Sequence, residues 1–357
     1  MSVLVTGGAG YIGSHAVKAL RSAGTEVVIY DDLSAGHRRA AKAAGAPLEE
    51  GRIGDTARLA EVMRAHEVNA VMHFAAWLSV ADSVRDPAGY YENNVGGAVS
   101  VLRAAAEAGV HHFIFSSTAA TFGNPVQTPI DESHPQRPIN AYGETKLAIE
   151  RALPHFEVAY GIRSVTLRYF NAAGADPDGL LGEDHDPELH VIPRAIDAAL
   201  GRADFAIHGV DYDTPDGTCL RDYVHVTDLA AAHLLALESL RAGAQSTAYN
   251  LGNGKPVSVR EVVTAVERVT GRTLPDRVGP RRAGDPAVLI ASSGKIRREL
   301  GWAPRYEAID VIVETAFRWR EKHPNGYEDR SAKDQRPAEG GERLTDGGQR
   351  GAGSGGR

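Results

Sequence analysis

The sequence predicts an α/β fold: a Rossmann-like, doubly wound parallel sheet joined to a smaller C-terminal substrate-binding domain. Three observations carry that prediction. A short apolar strand runs directly into a glycine-spaced turn, TGGAGYIGSH at residues 6–15. Apolar runs of strand length then alternate with helical stretches over about 170 residues, the pattern of strands joined by crossover helices. Beyond Asn171 the texture changes, with frequent Pro, Gly, Asp and His and shorter elements.

Val3-Leu4-Val5 is the first strand. After the glycines, Ile12, Ala16 and Leu20 recur every four residues as one helical face, and Gly24 stands where that helix stops. Val27-Val28-Ile29, Val71-Met72-His73-Phe74, Phe113-Ile114-Phe115 and Ser164-Val165-Thr166-Leu167 are the next strands. Each is continuously apolar, as expected of parallel strands covered on both faces. The domains follow: residues 1–171 for a dinucleotide, with later segments free to return to it, and 172–324 as a cap for substrate. Residues 325–357 hold six acids, six bases, many glycines and few large apolar side chains. Such a segment cannot offset its ordering entropy and reads as a disordered tail.

The bulk properties exclude several classes. The chain has 357 residues, a formal net charge of -7 and no long run of Lys and Arg, so nucleic acid is not an expected partner. One cysteine, Cys219, excludes an internal disulfide and a cysteine-held metal cluster, and fits a reducing cytoplasm. No basic segment precedes a long apolar stretch at the N-terminus, and no membrane span is expected.

Gly7, Gly10 and Gly13 are spaced three apart. Between a strand and a helix, such a turn offers its backbone N–H groups, through Tyr11 and Ile12, and the positive end of the helix to a pyrophosphate. Gly7 and Gly10 let backbone approach phosphate, and Gly13 lets helix and sheet pack closely. Asp31, followed by Asp32, ends the second strand. A carboxylate there accepts hydrogen bonds from ribose hydroxyls and repels a 2′-phosphate, which favours NAD over NADP.

Tyr142 and Lys146 form the only Tyr-x-x-x-Lys in the chain and lie one turn apart on one helix face. A free tyrosine titrates near ~10, too high for a neutral-pH base. A neighbouring ammonium and a nicotinamide cation both favour phenolate. FIFSSTAATFG at 113–123 ends its apolar run in Ser116, Ser117 and Thr118, and hydroxyls at a strand's carboxyl end face the ligand crevice of such sheets. Thr118 can relay a proton between substrate and Tyr142, whereas Ser116 and Ser117 suit the closing of the strand end.

The glycine turn, Asp31, HFAA at 73–76, FSST at 115–118, Tyr142 with Lys146, LRYFNAAGA at 167–175, RDYVHVTDLA at 221–230, YNLGNG at 249–254, PRRAGDP at 280–286 and LGW at 300–302 follow in one order. Over residues 1–327 the chain thereby resembles the extended short-chain dehydrogenases/reductases, in their UDP-hexose 4-epimerase branch. The resemblance implies an isomerase with tightly bound NAD that inverts C4 of a UDP-hexose through a transient 4-keto sugar. It implies catalytic roles for Tyr142, Lys146 and Thr118. It adds Phe74, Ala75, Ala76, Asn94, Ser116 and Tyr169 to the cofactor side. On the substrate side it implies Asn171, His190, Arg221, Arg282 and Asp285 for the nucleotide and its phosphates, with Thr118, Tyr142 and Leu289 at the sugar. It also implies a homodimer built on stretches 91–108 and 142–160.

The chain departs from the family pattern in places. Gly51-Arg52-Ile53 replaces a motif whose acid contacts adenine, and Asp55 is the nearby substitute. Leu78 occupies a slot where some members carry a cofactor-contacting lysine. Thr118 replaces a serine and keeps its hydroxyl. Leu289 stands where a tyrosine can close the sugar pocket, which predicts room for an N-acetyl group at C2. EDHDPELH at 183–190 gathers acids and two histidines without helical ligand spacing, so no metal is expected and a solvated loop is. Two other readings compete. A nucleotide-sugar 4,6-dehydratase needs an acid and a base directly after Thr118, where this chain has Ala119-Ala120. A non-catalytic NAD(H) sensor has no need of Tyr142, Lys146 and both arginines.

Overall fold

The computed structural model describes residues 2–275, 277–281 and 286–328. Its strands are β1 (Ser2–Thr6), β2 (Glu26–Asp31), β3 (Leu48–Glu50), β4 (Val68–His73), β5 (His112–Thr118), β6 (Arg163–Tyr169) and β7 (Asn171–Ala173). They continue as β8 (Ile207–His208), β9 (Leu220–His225), β10 (Thr247–Leu251), β11 (Pro256–Ser258), β12 (Val278–Gly279) and β13 (Val288–Leu289). Seven form one parallel sheet in the order β10-β6-β5-β4-β1-β2-β3. The chain winds outward from β1 to β3 on one side and from β4 to β10 on the other. The carboxyl ends of β1 and β4 therefore flank the point where strand order reverses, the place where such sheets bind ligands.

Alternation along each strand explains why whole runs are apolar. Val3, Val5, Val27, Ile29, Ala70, Met72 and Ile114 join one core cluster. Their neighbours Leu4, Val28, Val71, Phe113 and Phe115 join a second. Side chains of a strand point alternately to its two faces, so a sheet covered on both sides needs both sets apolar. The first helix spans Tyr11–Ser22 and buries Ala16 and Leu20, and Gly24 beyond it has φ +76°.

The smaller region has its own core, in which Ile192, Ile196, Val262, Val266, Ile312 and Val313 from three helices pack around Tyr223 of β9. There β9 pairs with β7, β11 and β13, and β8 pairs with β12. The boundary at 171/172 is not where the chain leaves the first domain for good. The helix Val226–Arg241 contributes Leu229, Ala232, Ala236, Leu237 and Leu240 to the first cluster, and β10 extends the large sheet beside β6. Edge strand β3 is missed by apolar patterning because its three residues are Leu-Glu-Glu. The assignment of a tail from residue 325 also needs correction. Tyr327 is buried, stacks 4.9 Å from His37 and donates its hydroxyl to Gly182 O at 3.2 Å. The remainder of that segment, 329–357, lies outside the described residues. Among the described residues no helix is long and apolar enough to cross a membrane.

Candidate active site

A strand that ends on Thr6 must turn at once for the next helix to cover the sheet. Gly7 makes that turn at φ +72°, where a Cβ would stand 2.6 Å from Ala75 N. A Cβ on Gly13 would stand 2.2 Å from Gly7 O. These two glycines therefore serve close packing within the protein. Gly10 is different: it precedes the helix without a side-chain cap, and a Cβ there would meet only Gly7 O, at 3.3 Å. The first N–H groups of that helix are left for a ligand. Gly7 thus has a packing role in addition to its place in the cavity lining.

Asp31 lies at the end of β2, buried, and accepts from Ala9 N at 3.0 Å and Leu33 N at 2.9 Å. Burial raises its pKa, and the two backbone hydrogen bonds oppose the rise. From Asp31 a cavity of about 320 Å³ runs to the helix that carries Tyr142. Gly7, Gly10, Tyr11, Ile12, Gly13, Asp31, Asp32, Phe74, Ala75, Ala76, Ser116, Thr118, Tyr142, Lys146, Tyr169, Asn171 and His190 all line it. The glycine cradle, the open helix end and the terminal carboxylate fit a dinucleotide lying along this cavity.

The helix Ala141–Tyr160 begins at Asn140, whose side chain accepts from Gly143 N at 2.8 Å. A Cβ at Gly143 would lie 2.5 Å from Ala120 O, so the first helical turn presses on the segment that follows Thr118. Tyr142 and Thr118 thereby line the same cavity, with the Thr118 hydroxyl acting on the phenol. One turn on, Lys146 is buried, donates from Nζ to Ser116 O at 3.0 Å and sits 5.1 Å over the Phe115 ring. Burial lowers its pKa to about 8, against an opposing pull from Glu150. Burial also raises the Tyr142 phenol well above its ordinary value; Tyr169 adds to the rise and the Thr118 hydrogen bond reduces it. The expected pull of Lys146 toward phenolate does not figure among the groups acting on the phenol, where desolvation dominates. Tyr169, pushed up to about 12 by burial, shares a short hydrogen bond with Ser116 Oγ. Ser117 turns away and donates to Glu150 Oε1.

Other expected residues fall elsewhere. Asn94 is fully buried and spends its side chain on the Trp77 backbone, accepting from N at 2.9 Å and donating to O at 3.1 Å. It braces the wall of the cavity, whereas its neighbour Asn93 lines it. Asp55 caps the helix Thr56–Ala65 by accepting from Arg58 N at 3.0 Å and does not line the cavity, so it is no substitute adenine contact. Gly51, Ile53 and Leu78 do line it. Asn171 donates to Asp222 O at 3.0 Å. Arg221 of β9, buried, is in register with Leu289 of β13, and neither belongs to the cavity lining. Leu289 packs with Phe170 against Phe122 and Ile130; Phe170 lines the cavity, so Leu289 is one layer behind. Arg282 and Asp285 lie outside the described residues.

Sequence reasoning missed Tyr30, Trp77, Glu183 and His185, which also line the cavity. The signal for the last two was present in EDHDPELH and was discounted for want of helical spacing. A loop brings the groups together instead. Glu183 is buried, with Oε1 2.7 Å from His190 Nδ1 and 3.1 Å from His185 Nδ1. Glu188 Oε1 stands 3.0 Å from the same His190 nitrogen. The expected solvated loop is corrected to an ordered cluster of two acids and two imidazoles.

With that geometry in place, the chain can be set beside known proteins. The sequence profile of the NAD dependent epimerase/dehydratase family matches residues 3–252. The chain belongs to this family. A UDP-glucose 4-epimerase from Lacticaseibacillus casei is 50% identical over 332 residues, covering 93% of this chain and 100% of the relative. The crystal structure of UDP-glucose 4-epimerase from Brucella ovis in complex with NAD is 51% identical, with a TM-score of 0.86 over 88% of this chain and 97% of the other. The Bifidobacterium longum UDP-glucose 4-epimerase in complex with NAD+ and UDP is 36% identical, with a TM-score of 0.85 over 91% and 100% of the two chains.

Proposed function

We propose that this enzyme is an NAD-dependent isomerase that interconverts UDP-glucose and UDP-galactose by inverting C4 through a transient 4-keto sugar. One observation carries the reading: Tyr142, Lys146 and Thr118 line the same cavity as the glycine turn and Asp31. NAD, when bound, supplies a reversible hydride acceptor, so no net oxidation remains after a turnover. The protein supplies orientation and proton handling. Tyr142 takes the proton of the sugar 4-hydroxyl and returns it to the same oxygen after the 4-keto sugar has turned about its link to the diphosphate and presents the opposite face of C4 for hydride return. Thr118, on the same cavity, relays between the phenol and the hydroxyl. Lys146, anchored on Ser116 O, keeps a fixed cation beside the cofactor end. Asn171, His190, Arg221, Arg282 and Asp285 are the residues we assign to the UDP moiety, with the guanidinium groups suited to phosphate by their paired donors. Ala119-Ala120, in the turn after Thr118, offers no acid or base for a 4,6-dehydration.

We further propose a homodimer formed through the helices Gly97–Glu107 and Ala141–Tyr160, the latter exposing Val158 and Tyr160, and a cytoplasmic location. Leu289 is smaller than the tyrosine that can close the sugar pocket at this position, so UDP-GlcNAc and UDP-GalNAc are proposed as additional substrates. Incubation of the purified enzyme with UDP-galactose, and separately with UDP-GalNAc, without added NAD and followed by NMR, tests reaction, substrate and retained cofactor together. Conversion of UDP-galactose is expected; no conversion at high enzyme loading overturns the reading. If UDP-galactose turns over and UDP-GalNAc does not, only the N-acetyl proposal falls. Light scattering of the eluted enzyme at twice the chain mass is the expected result for the dimer.

A further inference from the structure

The loop between the glycine-turn domain and the smaller region holds a feature that the reaction does not yet use. His190 and His185 both direct Nδ1 to Glu183 Oε1, at 2.7 Å and 3.1 Å, and His190 Nδ1 also meets Glu188 Oε1 at 3.0 Å. A carboxylate can only accept, so each Nδ1 must carry a proton. His190 keeps 44% of its side chain exposed on the cavity wall, and Nε2 has no partner among the described residues. A neutral His190 with its proton held on Nδ1 would turn a bare lone pair into the cavity. An imidazolium would turn an N–H donor there.

We propose that Glu183 and Glu188 are positioning residues that hold His190 as an imidazolium and aim its Nε2–H at the diphosphate of a bound nucleotide. The inference rests on the nucleotide-sugar reading above. Two anions offer the same chemistry, the pyrophosphate of the cofactor and the diphosphate of the UDP-sugar. Tyr11, which opens the helix after the glycine turn, lies 6.2 Å from the His185 ring, so the cluster borders the cofactor side. Asn171 on the same cavity borders the substrate side.

The charged and titratable neighbours named here are consistent with this role. The His185 ring centroid is 5.3 Å from that of His190. Arg320, on the helix Ile309–Lys322, reaches Glu188 Oε2 at 4.0 Å and donates to Glu183 O at 3.2 Å. Its charge is already matched by Asp197. Tyr11 donates its hydroxyl to Gly174 O at 2.6 Å and leaves the carboxylates to the imidazoles. Burial disfavours the charged imidazole, but Glu183 and Glu188 reverse the sign and push its pKa up to about 10. The two carboxylates thus make a durable cation out of a side chain that ordinarily loses its charge near neutral pH.

The test uses the full-length enzyme, labelled with 15N-histidine. In the wild type at pH 8, the His190 ring nitrogens, assigned by loss in His190→Asn, are expected to show the imidazolium pattern. In Glu183→Gln they are expected to shift to the neutral pattern. NAD content per chain after gel filtration and UDP affinity by calorimetry separate the two anions. A loss of NAD retention in Glu183→Gln assigns the clamp to the cofactor, and an approximately tenfold weaker UDP affinity assigns it to the sugar nucleotide. His190→Arg is expected to restore part of whichever is lost. A neutral His190 in the wild type at pH 8 overturns the proposal. So does a Glu183→Gln enzyme that keeps both NAD and UDP affinity. Divalent cations added at millimolar concentration provide a further arm: if they, and not the carboxylates, govern UDP affinity, the site is a metal site and the clamp is wrong. An enzyme that binds UDP and shows the imidazolium but converts no UDP-hexose leaves the clamp standing and removes the function reading instead.

Discussion

The two walls of the cavity are built on different physics. The sheet-side wall is backbone: the turn at Gly7, the open helix end at Gly10 and the carboxyl ends of β1, β2 and β4. Its steric tolerances are a few tenths of an ångström. The cap-side wall is side chains carried on loops, with Glu183, His185 and His190 set against a helix more than a hundred residues later. Histidines report the contrast. His15, His73, His225 and His233 are buried around the sheet, and burial lowers their pKa values to about 4, 3, 3 and 4. His190 on the cap side is pushed the other way, to about 10, by its carboxylates. Desolvation decides the charge of the first set of imidazoles, and neighbouring carboxylates decide that of His190.

The largest expected effect tests where the chemistry sits between the two walls. Tyr142→Phe removes the general base and should lower kcat roughly 10³-fold, within the usual range for such a group, while NAD content per chain stays near that of the wild type. A variant that epimerises at the wild-type rate would move the chemistry away from the Tyr/Lys helix. Next comes the steric wall. Gly13→Ala would place a Cβ 2.2 Å from Gly7 O, a backbone atom that cannot swing away. Overpacking of this kind costs about 3 kcal/mol, read as a lower Tm and as loss of bound NAD together. An alanine variant with unchanged Tm and full NAD content would show that the turn has slack.

A further effect, on stability and not on chemistry, is expected from pH. The four sheet-side histidines have folded pKa values below the unfolded value of about 6.5, so the unfolded chain binds more protons. Their contribution to stability is present above pH 6.5 and is lost as pH falls toward 4, at up to about 1.4 kcal/mol per unit for each. Tm measured from pH 7 to pH 4.5 should fall steadily. His190 has the opposite sign: its contribution is present below the unfolded value and is lost as pH rises through about 10. A flat Tm between pH 7 and 5 would contradict the burial of the sheet-side set. The smallest change is Leu289→Tyr, which fills space one layer behind Phe170. It should reduce turnover of UDP-GalNAc relative to UDP-galactose by roughly tenfold, about 1.4 kcal/mol of discrimination, with little change for UDP-galactose.

Most of the sheet-side wall was legible in the linear sequence. The glycine spacing, Asp31 at a strand end and Tyr142 with Lys146 on one helical turn are all patterns of a few residues. Less of the cap side was. Asn94 looked like a cofactor contact by position, yet its amide faces the Trp77 backbone, because the wide helical turn at residues 91–96 presents Asn93 to the cavity instead. Asp55 looked like a replacement acid and is a helix cap. EDHDPELH looked solvated because no regular element relates its four groups. That later segments return to the first domain was expected, but which ones do was not legible, since nothing local distinguishes an apolar strand that pairs with β6 from one in the smaller region.

By itself the sequence determined the fold class, the place of the glycine turn and the pairing of Tyr142 with Lys146, to which proton handling is assigned as a proposal. Each depends on backbone periodicity or on a spacing shorter than a helical turn, and such relations survive in the order of residues. Only the tertiary structure decided the protonation landscape and the cap-side wall. Whether a phenol is raised or an imidazole held charged depends on desolvation and on carboxylates brought in from other elements. That information exists only once distant segments have been packed together.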